Sequence, residues 1–171
     1  AWVFFRAESI GEAFDYLANF ANIQAWDPTV LQARPLTPGA LRVGSRFGLV
    51  MQFGLRPVAM TYHLAAMAPP HRLVFFGRGD SFRALDEILI RPAAQGLALD
   101  YTVTIAFDHA AGRRLGRLAA PVVRCNVRRA ARRLETILGG AGVGLPRLTL
   151  ATRLADQLIL PGVGAFDHGM R

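Results

Sequence analysis

The sequence predicts an α+β domain in which a curved antiparallel sheet wraps around one long C-terminal helix, with two short helices after the first strand. Three observations carry this. Apolar residues alternate with period two from about residue 46 to 107, interrupted only by short turns. The stretch from 113 to 138 instead repeats its apolar residues at helical spacing. Ser9 and Glu12 form an S-x-x-E capping box, the start signal of an early helix.

In chain order, the opening WVFFRA is aromatic and β-branched and reads as a strand. The capping box follows, and Phe14, Leu17 and Ala18 give a short amphipathic helix that closes near Asn19 and Phe20. A second short turn, Asn22 to Trp26, ends at Asp27-Pro28. Strands are expected at Arg46–Phe53, Val58–Met67, Arg72–Gly79, Phe82–Arg91 and Leu97–Phe107, separated by turns that include Pro69-Pro70, Gly79-Asp80 and Pro92 to Gly96. Short turns between alternating strands make the sheet an antiparallel meander. The long helix, Arg113 to Leu138, places Leu118, Ala119, Val122, Ala130, Leu134 and Ile137 on one broad arc. Arg117, Arg124, Arg128 and Glu135 lie opposite, and Pro121 sits in the helix as a kink or first-turn residue. Gly139-Gly140 stops it. The domain is therefore set at residues 1–139. Residues 140–171 are a linker and an apolar tail, expected to be helical from Leu148 to Leu160.

Composition narrows the chemistry. With 171 residues the chain builds one domain and a sizeable core. A hydrophobic content of 52% against 19% charged excludes disorder. All 20 basic residues are arginine, so Schiff-base lysine chemistry and a Walker phosphate loop are excluded. The net charge of +8 is concentrated in the long helix without interleaved aromatics, which argues against nucleic acid. The arginine stripe, with Arg128, Arg129, Arg132 and Arg133, reads as a solvated face. A single cysteine, Cys125, fits a reducing, cytoplasmic compartment and reads as a small core residue. No apolar run is long enough for a transmembrane helix, and the N-terminus does not read as a signal peptide. His63, His71, His109 and His168 have no ligand spacing, so neither a metal nor another cofactor is expected.

Several segments, in order, resemble one family. They are E12-A-F-D-Y-L-A-N-F20, N22-I-Q-A-W-D-P28, V43-G-S-R-F47, M60-T-Y62, P70-H-R-L-V74, D86-E-I, L97-A-L-D-Y-T102 and the helix that begins L118-A-A-P-V-V. The chain is similar to the polyketide cyclase/dehydrase and lipid-transport family, of the START-like, helix-grip (SRPBCC) superfamily, over residues 1–139. The resemblance implies a helix-grip fold whose sheet and C-terminal helix enclose a cavity for a hydrophobic small molecule: a polyketide, a lipid or an isoprenoid-like compound. It implies no fixed catalytic motif.

Site residues follow from which polar groups face that cavity. Arg83, Glu87 and Arg91 belong to the solvent face, so Phe82, Ala84, Asp86, Ile88 and Ile90 face inward. Asp86 is then a desolvated carboxylate suited to acid/base work. Tyr62 and Tyr101 share the inward phase, and Asn126 lies near the middle of the helix's apolar arc. These four are the candidate catalytic groups. Trp26, Phe53, Met60, Phe75 and Phe82 are the candidate ligand-binding residues. Three function classes remain: a ligand-binding or carrier protein, a cyclase or dehydratase with Asp86 moving the proton, and a regulatory module docked through the basic helix and tail. The apolar tail is expected to pack on its own domain, a second copy or a partner domain.

Overall fold

The computed structural model describes residues 9–93, 96–108, 125–126, 128–138 and 147–155, the last of these for the backbone alone. The expected first strand, the start of the long helix with Pro121, and the tail beyond residue 155 lie outside the described residues.

Helix α1 (Ile10–Ala18) begins where the capping box places it, with the Ser9 hydroxyl accepting from the Glu12 backbone N–H at 3.2 Å. It buries Ala13, Phe14, Leu17 and Ala18. A 3-10 turn at Phe20–Asn22 leads into the one-turn helix α2 (Ile23–Trp26). The sheet then runs in sequence order: β1 (Val30–Pro35), β2 (Arg46–Phe53), β3 (Arg56–Ala68), β4 (Arg72–Arg78), β5 (Phe82–Ala93), β6 (Gly96–Phe107) and β7 (Arg147–Ala155). The first six are antiparallel neighbours, and β7 adds parallel to β6. Register shifts interrupt β1 between Val30 and Gln32 and β3 between Leu64 and Ala66. Such bulges bend a strand and increase its local twist.

A third helix, α3, is described over 128–138. Its Ala130, Leu134 and Leu138 join one buried cluster with α1, α2 and the inward faces of the sheet. Arg128, Arg129, Arg132 and Arg133 are exposed. The result is an α+β architecture consistent with the helix-grip fold. On the other face of the sheet, Arg72–Glu87, Arg83–Asp108 and Arg91–Asp100 form ion pairs, each one step diagonal to the strand register.

Three expectations are corrected. The strand β1 was not anticipated, because only Val30 of its six residues is buried and no alternation marks it. Its terminal Pro35 costs no ladder bond that an interior strand would need. Of the tail segment expected to be helical, the described part, up to Ala155, is instead the strand β7. Leu148, Leu150 and Leu154 fall at alternate positions and Thr149 and Thr152 are β-branched, which favours a strand once β6 offers an open edge. Cys125 is exposed rather than packed in the core.

Candidate functional site

The alternation of β5 places Asp86 on the inward face, where it is 3% exposed. Tyr101 stands on β6 opposite Ile88, one diagonal step from Asp86. Its hydroxyl donates to Asp86 Oδ1 at 2.6 Å. Tyr62 reaches the same carboxylate from two strands away. In the register Tyr62 on β3 faces Gly77 on β4, which faces Ala84 on β5. A Cβ at position 77 would overlap the Tyr62 ring, so the ring lies across the gap that Gly77 leaves. The phenol is close enough to help stabilise the Asp86 carboxylate, but Tyr101 makes the direct hydrogen bond. Oδ2 of Asp86 is buried with no partner among the described residues.

This geometry sets the electrostatics. Burial pushes the Asp86 carboxyl up from its ordinary 3.8 to about 7, and the nearby Asp27 charge pushes the same way. The hydrogen bond from Tyr101, and more weakly Tyr62, pull it down without cancelling the cost of desolvation. The same burial, with Asp86 beside them, holds both phenols well above the ordinary tyrosine value. They are hydrogen-bond donors throughout the neutral range.

Asp27 ends α2 and is partly buried. Its Oδ1 accepts from the Thr29 backbone N–H at 2.8 Å and the Thr29 hydroxyl at 2.7 Å. Burial raises its pKa, while Thr29 and the charge of Arg133 on α3 pull it back. Trp26, the residue before it, is buried and meets Tyr101 edge-on at 5.6 Å. Tyr62 and Trp26 thus flank the Asp86–Tyr101 pair.

The remaining predicted residues separate into two groups. Phe75 is stacked on Phe20 at 4.1 Å, and Phe20 also packs on Tyr62 and Phe47. Such pairs contribute about 0.5–1.5 kcal/mol beyond their buried area. Phe53 and Phe82 form a second trio with Phe107, with ring centroids 5.2 to 6.1 Å apart. Met60 is buried in the core, against the backbone at Gly79. Asn126 is half-buried on the C-terminal helix, and among the described residues no hydrogen bond joins it to the Asp86 group. His63 is on the outer face against Phe76, where burial and Arg46 lower its pKa.

An open groove of about 800 Å³ lies on that outer face, not between sheet and helix. It is lined by Arg34, Gly48, Thr61 and Arg78, which form one register row across β1 to β4, together with their neighbours. Of the predicted ligand-binding residues it touches Met60 alone. Among the described residues no group of three or more His, Cys, Asp or Glu side chains is placed to hold a metal. None of the described helices is long and apolar enough to cross a membrane.

Residue patterning missed Asp27, Phe20 and Gly77. Only Gly77 carried a readable signal, a glycine inside an apolar strand, which marks close approach of another group.

With this geometry in hand, comparison with known families is decisive. The profile described as polyketide cyclase / dehydrase and lipid transport matches residues 9–139. The chain belongs to that family. The match spans everything from the α1 cap to the end of α3 and stops before β7. A crystal structure of a Rhodobacter sphaeroides protein is similar at 20% identity and a TM-score of 0.53, covering 81% of this chain and 89% of that one. A Chromobacterium violaceum protein is similar at 14% identity and a TM-score of 0.50, covering 80% and 93%. At these identities the likeness shows the fold alone. No curated protein sequence matches the chain.

Proposed function

We propose that this member of the family binds a hydrophobic small molecule, such as a polyketide, lipid or isoprenoid-like compound, between the inward sheet face and the C-terminal helix. One observation carries the reading: Asp86 Oδ2 is buried and has no hydrogen-bond partner among the described residues. Leaving such an atom unmet costs about 1–3 kcal/mol or more, and a ligand polar group offsets that cost. An apolar surface for the ligand body lies beside it. Val103 is the direct cross-strand neighbour of Asp86, and Ile105 is that of Ala84. Both pack against the core while staying only half-buried. Trp26 and Tyr62 bound the polar end, and the Phe53–Phe82–Phe107 trio borders the far end of the same face. The lone Cys125 fits a cytoplasmic, reducing setting.

The test is native mass spectrometry of protein purified from its own host. A co-purified apolar compound, lost on denaturation, is the expected result. Protein that carries no compound and takes up no apolar probe would refute the reading.

One observation favours a catalytic version. A carboxyl whose pKa is about 7 is half-ionised at neutral pH and so suits proton transfer in either direction. In that version Asp86 removes or returns a proton in an aldol-type cyclisation or dehydration, while Tyr62 donates to the developing enolate and Tyr101 holds the Asp86 carboxyl in place. Asp86→Asn would then lower turnover of a cyclisable substrate by about 10²–10⁴. A pure carrier would show altered affinity and no chemistry to lose.

A further inference from the structure

The binding reading leaves open what kind of polar group the ligand presents, and the Asp86 site answers that. Its two carboxylate oxygens are not equivalent. Oδ1 is taken by the Tyr101 hydroxyl at 2.6 Å, and Oδ2 is free among the described residues. Nearby, Asp27 Oδ1 accepts twice from Thr29. Oδ2 is therefore placed to pair with an oxygen function of a ligand.

We propose that Oδ2 of Asp86 selects the ligand by its hydrogen-bonding type: a hydroxyl donor when the carboxyl is ionised, and equally a hydroxyl, ether or carbonyl oxygen when it is protonated. The inference rests on the binding reading above. In the ionised state, Oδ2 accepts a ligand O–H in a charge-assisted bond and repels an ether or carbonyl oxygen. In the protonated state Tyr101 still occupies Oδ1, so the proton resides on Oδ2. It is donated to whichever oxygen the ligand offers.

Among the described residues, the groups that bear on Asp86 are two phenols and one carboxylate. Tyr62 from β3 and Tyr101 from β6 keep their protons across the neutral range, since burial and the Asp86 charge hold them well above the ordinary tyrosine value. Asp27, beside α2, raises the Asp86 pKa through its charge, and Arg133 on α3 acts on Asp27. The midpoint of the switch thus falls where Asp86 titrates, at about 7.

The probes are 2-naphthol and 2-methoxynaphthalene, matched in shape and differing in one O–H, with naphthalene as the apolar reference. Binding is measured by calorimetry on the full chain. At about pH 8.5 the naphthol is expected to bind about 10- to 100-fold tighter than the ether, the range of one charge-assisted bond. At about pH 5.5, below the Asp86 midpoint, the two are expected to bind alike. Asp86→Asn should abolish the pH dependence of the ratio. Tyr101→Phe, which keeps the carboxyl but removes the bond that lowers its pKa, should move the crossover to higher pH.

A naphthol-to-ether ratio that stays constant with pH while both compounds bind overturns the proton-selected site and leaves the binding reading standing. Failure of all three probes to bind at either pH overturns both.

Discussion

Asp86 and Tyr101 stand one diagonal step apart on β5 and β6, and the bond between them fixes what each contributes. Because Tyr101 lowers the Asp86 pKa, Tyr101→Phe is expected to raise it above its present value of about 7. Carboxyl carbon chemical shifts followed across pH read this directly, and an unchanged midpoint would deny the bond its electrostatic role. Gly77 contributes by lacking a side chain. Gly77→Ala forces the Tyr62 ring aside and is expected to cost about 1–3 kcal/mol in denaturant unfolding. The loss should shrink in the Tyr62→Ala background, where there is no ring to displace. Period-two alternation was enough to place Asp86, Tyr62 and Tyr101 inward, because each lies on a strand with one buried face. The role of Asp27 was not legible. It acts on Asp86 from a loop, and pairing across a fold has no periodicity.

At the level of elements, strength of pattern decided what the sequence revealed. The strands β2 to β6 and the start of α1 were legible because their apolar residues and caps repeat at spacings set by backbone geometry. The strand β1 was not, since a mostly exposed strand has no buried face to impose alternation. The tail was read with the wrong period because its leucines satisfy both spacings over a short window. Capping gives a simple check on α1: Ser9→Ala removes the acceptor for the Glu12 N–H and is expected to cost about 1 kcal/mol in thermal unfolding. The C-terminal helix should be more sensitive. Leu134 is buried in the common cluster, so Leu134→Ala is expected to cost about 2–5 kcal/mol by the same measurement.

For the whole molecule, the Asp86 carboxyl makes stability depend on pH. The folded state holds this proton up to about 7, whereas the unfolded chain releases it near 3.8. Between those values the folded protein binds more protons than the unfolded one, so stability falls as pH rises. The contribution is on the order of 4 kcal/mol by about pH 7 and is lost with the carboxyl. Urea unfolding of Asp86→Asn should therefore show a flatter profile than the parent from about pH 4 to 7, and parallel slopes would contradict the assignment. We propose that the family domain, residues 9–139, folds without the tail. A chain ending at residue 139 is expected to melt cooperatively yet self-associate, because the β6 edge loses its β7 partner. Loss of the cooperative melt would place the tail in the core. The parallel pairing of β6 with β7 also carries a consequence in time. Antiparallel neighbours can zip from a tight turn, but β7 reaches its place only after the chain has travelled back along the full length of β6. It therefore docks late and, on the reverse path, leaves first. In native-state hydrogen exchange, the β7 amides should open by a sub-global route at lower free energy than those of β4 and β5, making the far edge of the sheet the molecule's first door to unfold.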